Sequence, residues 1–330
     1  MPPTFADRLL ADLEARGLLP PAQAAALAAY ERQRPFSLHY ELRALLYLGI
    51  TLLSGGLGVL IYQNIERIGH GVVVAGIAAL MAACLAYAAR HRPAFTWGVA
   101  PSPGLLPEYL LLLGCLLFLV LEGYLQAQYQ LFGTRFGLAA ALPTALFFGI
   151  AYGFDHRGVL SMAVTALASW VGVSIAPLAA YAQNDYATLS GPAAVLGLGL
   201  GGLGLWSDLT NHKRHFAFAY LSLGGNLALV ALTAALFLGP AQTGVPRWVA
   251  LPVLLATCAG LAWYARRTQS YLFLLMGAVF GYVAFSYLCF EVLGFIDGVA
   301  LGLLYFPLTA AGVVVFLVNM KRILRIVPRR

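Results

Sequence analysis

Apolar residues in this chain come in long runs, broken by short clusters of charge, glycine and proline. A run of about 20 apolar residues matches an α-helix that crosses a hydrocarbon core, where every backbone N–H and C=O must be satisfied within the segment. Ten such runs are predicted, over approximately 44–63, 70–89, 105–126, 137–154, 158–181, 189–207, 215–239, 247–265, 270–292 and 298–320. The fourth and fifth are joined only by Phe154-Asp155-His156-Arg157. The first 43 residues read differently. Phe5, Leu9, Leu10, Leu13 and Leu18 recur at helical spacing, Gly17 reads as a helix stop before Leu18-Leu19-Pro20-Pro21, and Ala22 to Tyr30 reads as a second helix closed by Pro35. The organisation is therefore a cytoplasmic helical hairpin over 1–43, a transmembrane helical domain over 44–320 and a basic cytoplasmic tail over 321–330. A hairpin this short does not bury its own core, so it is expected to pack on the membrane domain or on a cytoplasmic protein partner.

Composition narrows the class. Of 330 residues 61% are hydrophobic and 10% charged, and the mean hydropathy is +0.81, whereas a soluble domain carries about 25% charged residues. That excludes a cytosolic enzyme, a secreted disulfide scaffold and a disordered regulator. An outer-membrane barrel is excluded as well, because its wall alternates polar and apolar residues around a polar lumen. The fold class is all-α, a polytopic helical membrane protein in contact with lipid. Cys84, Cys115, Cys258 and Cys289 all fall in apolar runs without ligand spacing and read as small packing residues. No apolar h-region precedes the first run, so it is expected to be retained as a helix rather than cleaved.

The net charge of +7 is topological. With the N-terminus in the cytoplasm, cytoplasmic segments hold 17 of the 20 basic residues, and the opposite side receives only Arg67, Arg135 and Arg247. The positive-inside rule then puts both termini in the cytoplasm. Nucleic-acid binding is not needed to explain the basic excess.

Three segments carry a family resemblance: the cue Gly17-Leu18-Leu19; Tyr62-Gln63-Asn64-Ile65-Glu66-Arg67-Ile68 at the end of the first run; and Glu122-Gly123-Tyr124-Leu125-Gln126-Ala127-Gln128-Tyr129-Gln130-Leu131 at the end of the third. Over roughly the first 180 residues the chain resembles the bacterial integral membrane proteins grouped as domain of unknown function 2157. An Asn-Trp pair commonly follows the first span in that family, and Ile65 stands in place of the Trp here. The resemblance implies a multi-pass fold in the bacterial inner membrane. It implies no reaction.

Several motifs lose their chemistry in this setting. Gly199-Leu200-Gly201-Gly202-Leu203-Gly204 satisfies G-x-G-x-x-G, but the dinucleotide fingerprint needs a preceding strand; within a span, Gly197-x-x-x-Gly201 reads as a helix-packing face. Gly224-Gly225 reads the same way, and Asn226 beside it as an interhelical hydrogen bond. His212 and His215 flank Lys213-Arg214 with only Asp208 nearby, which does not make a metal site. No cofactor, metal or catalytic constellation is expected, and the protein is not expected to be an enzyme.

Ionisable groups inside spans are the informative class, because they are expensive there and commonly face a cavity. Glu108, Glu122 and Glu291 qualify. Glu108 follows Pro107 at the cytoplasmic start of its span and is expected to reach headgroup water, which leaves Glu122 as the buried candidate. Gln126, Tyr129 and Gln130 follow at four, seven and eight positions, one stripe at the outer end of the third helix. Gln63, Asn64, Glu66 and Glu291 share that depth, so these groups either line an outward-facing polar pocket or form an interfacial belt with Glu291 in water. Two functions follow. One is a transporter or channel-like protein for a small polar solute, an ion or a lipid headgroup, with Pro143, Pro177, Pro192, Pro252 and Pro307 as candidate breaks in its helices. The other is a sensor or assembly component that docks a cytoplasmic protein through residues 1–43.

Overall fold

A computed structural model describes residues 13, 17, 19–23, 39–101, 104–133, 135–175, 187–292 and 299–324, and among them every regular element is helical. The helices are α1 (His39–Ile68), α2 (His70–Arg90), α3 (Leu105–Tyr129), α4 (Phe136–Phe154), α5 (Arg157–Ile175), α6 (Ser190–Thr210), α7 (Ala217–Leu238), α8 (Arg247–Thr268), α9 (Tyr271–Tyr287) and α10 (Val299–Ile323). Each predicted apolar run falls on one of them. Eight, α2 to α9, belong to segments long and apolar enough to cross a membrane; α1 and α10 contribute the shorter apolar stretches Ala44–Gly56 and Pro307–Met320. Most of the expected N-terminal hairpin lies outside the described residues.

The chain divides into compact units over 1–53 and 54–330. In the first, α1 begins with Leu42, Leu45, Leu48 and Leu52 exposed. In the second, consecutive helices pack as the neighbours α2/α3, α4/α5, α6/α7 and α8/α9, and α7 also touches α5, α8 and α9. Short joins make each pair antiparallel. One apolar core gathers Leu229, Leu232 and Leu236 of α7 with Leu254 and Leu261 of α8 and Phe273 of α9. A second holds Val73, Ile77 and Cys84 of α2 against Leu117 of α3. All four cysteines are buried and free of disulfides.

The α6/α7 contact is the tightest because glycine lets two backbones meet. A Cβ on Gly197 would lie 2.5 Å from the Ala228 nitrogen, and one on Gly224 would lie 2.8 Å from the Gly197 oxygen. Gly204 repeats the approach one heptad on, 3.2 Å from the Ala217 oxygen. Packing therefore explains Gly197, Gly201 and Gly204: Gly201 joins the seam through its backbone nitrogen, 3.0 Å from where a Cβ on Gly224 would lie, while a Cβ on Gly199, Gly201 or Gly202 would itself meet nothing within 4 Å. Asn226 is exposed on α7, which corrects the expected interhelical bond.

All five tryptophans are exposed and sit near helix ends. Trp97, Trp206 and Trp263 gather where α2, α6 and α8 finish; Trp170 and Trp248 lie toward the other end. Two levels of exposed indole are what a bilayer's interfaces select. Pro143, Pro252 and Pro307 lie inside continuous helices and Pro192 in the first turn of α6, so they do not supply the expected breaks, and Pro177 lies outside the described residues. The irregularity lies instead in a π-helical turn, Leu288–Val292, that ends α9.

Candidate functional site

Two polar assemblies occupy opposite ends of the second unit. The first is a clasp. Asp155 terminates α4 in the left-handed conformation, φ 57°, which a short polar side chain tolerates. Its Oδ2 accepts the Ala100 N–H at 2.8 Å, and its Oδ1 accepts Lys213 Nζ at 2.6 Å and His215 Nε2 at 2.7 Å. Lys213 is 2% exposed, lies 5.0 Å from the Phe95 ring centroid, and donates its own N–H to Trp97 O at 2.8 Å. Its left-handed backbone, φ 50°, is further held by Ser207 Oγ, whose one proton is shared between the His212 carbonyl at 2.6 Å and the Lys213 carbonyl at 3.1 Å. Burial alone would raise the Asp155 pKa; the Lys213 and Ala100 hydrogen bonds and the His215 and Lys213 charges outweigh it and hold the carboxyl below its ordinary value. Arg214 donates to Asp208 at 2.7 Å, and Arg92 Nε donates to Gly153 O at 2.9 Å. Beside them His156 is buried and accepts the Val159 N–H on Nδ1 at 3.1 Å. Burial lowers its pKa against the opposing charge of Glu108.

The clasp ties the loop after α2 to the α4–α5 and α6–α7 joins. Sequence reading passed over it, since Asp155 and Lys213 are 58 residues apart. The available signal was Asp155 in a four-residue join with the basic pair Lys213-Arg214 in another loop of the same parity.

The second assembly is a cavity of about 890 Å³ among α3, α4 and α5. Its walls are mostly apolar, including Leu116, Met162, Phe136 and Phe147, and Glu122 of α3 lines it with Gln126 and Gln130. Glu122 is 7% exposed, and among the described residues its Oε1 has no hydrogen-bond partner. From α5, Ser161, Thr165 and Ser169 line the opposite wall. They recur every four residues, about 12 Å of helix rise from first to last. Each hydroxyl donates to the carbonyl four residues earlier, at 3.2, 2.9 and 3.0 Å respectively, so its proton is committed within α5 and its oxygen remains an acceptor. This stripe was legible in the sequence as a four-residue polar period within an apolar run, and it was missed.

The cavity brings together three of the eight residues read as one polar group, Glu122, Gln126 and Gln130. Gln126 is largely structural: its Oε1 accepts the Phe132 N–H at 2.9 Å and its Nε2 donates to Gly133 O at 3.0 Å, which braces the α3–α4 turn. Tyr129, the last residue of α3, is exposed and does not line the cavity. Glu291 is exposed in the π turn and likewise stands apart. Gln63, Asn64 and Glu66 lie on α1, and their side chains are outside the described residues. Across the α2/α3 seam His70 Nδ1 and the Tyr124 hydroxyl are 2.6 Å apart. Among the described residues no group of three His, Cys, Asp or Glu side chains is arranged to hold a metal ion.

No curated protein and no solved structure matches the chain. One family model does, over residues 11–160, a stretch that contains α3, Glu122 and the α3–α4 turn. That family is described as "Predicted membrane protein (DUF2157)", so the resemblance read from Gly17-Leu18-Leu19 and the Glu122–Leu131 segment is to a family whose model the chain matches over that stretch, and with eight helices long and apolar enough to cross a bilayer the chain is a helical membrane protein.

Proposed function

We propose that the protein is a multi-pass transport or channel-like protein that admits a small solute or a lipid headgroup to the α3–α4–α5 cavity. The observation that carries this reading is the buried carboxylate oxygen of Glu122, left without a partner on the wall of a cavity of about 890 Å³. A cavity of this size and largely apolar character, with a few polar groups, is the usual form of a small-molecule site. All ten long helices cross the bilayer in this proposal, and both termini face the cytoplasm of a bacterial inner membrane. Two features support it: the clasp gathers the loops that hold Arg90, Arg92, Arg157, Lys213 and Arg214 at one end, and basic loops stay inside. The cavity then reaches the outer side through the α3–α4 turn.

The test is flux through the purified chain in liposomes loaded in turn with ethylamine, alanine, acetate and glycerol. Efflux of at least one above protein-free liposomes, reduced by Ala166→Leu in the cavity wall, is the expected result. No protein-dependent flux of any of the four would overturn the transport reading.

A further inference from the structure

Apart from the Gln130 side-chain amide, the polar groups that the cavity offers a ligand are mostly acceptors. Glu122 presents a carboxylate oxygen, and Ser161, Thr165 and Ser169 present hydroxyl lone pairs while their protons are committed within α5. Among the described lining residues there is no Lys, Arg or His. An anion placed here would meet one negative side chain and no positive one. A hydrated metal ion fits no better, since hard cations such as Ca²⁺ and Mg²⁺ gather about six oxygen ligands, whereas most of this lining is carbon. What remains is a cation that brings its own apolar body. Such a ligand sets a positive head against Glu122, offers any N–H groups to the α5 hydroxyls, and buries its carbon skeleton against the rest of the wall. Phe136 and Phe147, also in the lining, add aromatic carbon to the apolar wall.

We infer that this cavity binds an organic ammonium group carried on an apolar body, with Glu122 as its counter-ion. The inference deepens the proposed function and rests on the same cavity. The same chemistry is available from a free amphiphilic amine and from the headgroup of an aminophospholipid such as phosphatidylethanolamine. In either form the ligand resolves the one buried acceptor that the cavity leaves orphaned, a condition that is costly in a low-dielectric interior.

The experiment measures thermal unfolding of the full chain in a maltoside detergent, which carries no ammonium, with hexyltrimethylammonium, hexanol and hexanoate as matched probes. The cation should raise the melting temperature by several degrees, and hexanol and hexanoate should not. Glu122→Gln should weaken the apparent affinity by about tenfold or more, and Glu122→Asp, which restores the charge, should recover part of it. Ala166→Leu narrows the cavity without touching the carboxylate and should also weaken the response, so the inference stays testable if Glu122→Gln does not fold. Adding phosphatidylethanolamine or phosphatidylglycerol to the micelles separates the sources. Stabilisation by the amine lipid alone identifies a headgroup ligand, and stabilisation by hexyltrimethylammonium alone identifies a free solute. Equal stabilisation by hexanol, an unchanged response in Glu122→Gln or Ala166→Leu, or no response to either ammonium source would overturn it. Glu122-dependent cation binding without any flux would sustain this inference and remove the transport reading; flux that prefers a neutral or anionic solute would do the reverse.

Discussion

Asp155→Asn tests the clasp most directly. The substitution keeps side-chain shape and tolerance of the left-handed backbone, and removes the charge that faces Lys213 and His215. Lys213 cannot turn to water without losing its place, because its side chain is 2% exposed and its backbone is fixed by Trp97 and Ser207. Breaking a buried ion pair from one side costs about 3–5 kcal/mol. The asparagine carbonyl still accepts one hydrogen bond and the Phe95 ring still faces the ammonium, so the lower bound, about 3 kcal/mol, is expected. At roughly 2–4 °C per kcal/mol, the melting temperature in detergent should fall by about 6–12 °C. Adding Lys213→Met, which replaces the stranded cation with an apolar chain of similar length, should recover at least half of that loss, since buried ion pairs and well-packed apolar replacements are often of similar stability. A single variant that melts with the wild type, or a double variant no better than the single, would refute this account of the clasp.

Three further outcomes follow. Gly197→Ala should lower the melting temperature by several degrees, because its Cβ would fall 2.5 Å from the Ala228 nitrogen, whereas Gly201→Ala meets nothing within 4 Å and should be neutral or stabilising; equal effects in a thermal melt would remove the α6/α7 seam. His156 has a folded-state pKa below its ordinary 6.5, so stability should be full above that value and fall as pH drops through it toward the folded pKa, as the unfolded chain takes up the proton first; His156→Asn should flatten that slope, and an unchanged slope would exclude His156 as its source. In a background without native cysteines, Cys at Gln242 should react in intact cells with an impermeant thiol reagent and Cys at Arg266 should not, and the opposite pattern would invert the proposed orientation.

The fold was largely legible because bilayer and backbone impose one rule on each segment. A run such as 105–126 has no way to satisfy its amides in hydrocarbon except as a helix, and α3 covers it. What could not be read was which helices meet. Nothing in the α3 and α5 runs says that Glu122 faces Ser161, Thr165 and Ser169 across a gap, because periodicity orients each helix about its own axis and leaves the pairing free. Gln126 misled for a related reason. Its spacing from Glu122 puts both on one helix face, but the turn that follows needed a donor and an acceptor, and Gln126 satisfies both needs. Charge inside loops was discounted as topological, and so the burial of Lys213 escaped notice.

The two ends of the second unit treat Asp155 and Glu122 in opposite ways. At one, Asp155 accepts three hydrogen bonds, two from cationic or imidazole groups, and Asp208 accepts from Arg214 with Arg267 4.0 Å away. The Asp155 contacts lock interhelical joins together and leave that carboxylate little to gain from a ligand, while among the described residues Asp208 keeps Oδ2 buried without a hydrogen-bond partner. At the other, Glu122 has hydroxyls across the cavity whose protons are turned back into α5, and a glutamine one turn away whose amide is spent on the α3–α4 turn. A carboxylate kept for packing alone would be replaceable by leucine at a gain in stability, while neighbours arranged as acceptors serve it only when something with donors or positive charge arrives.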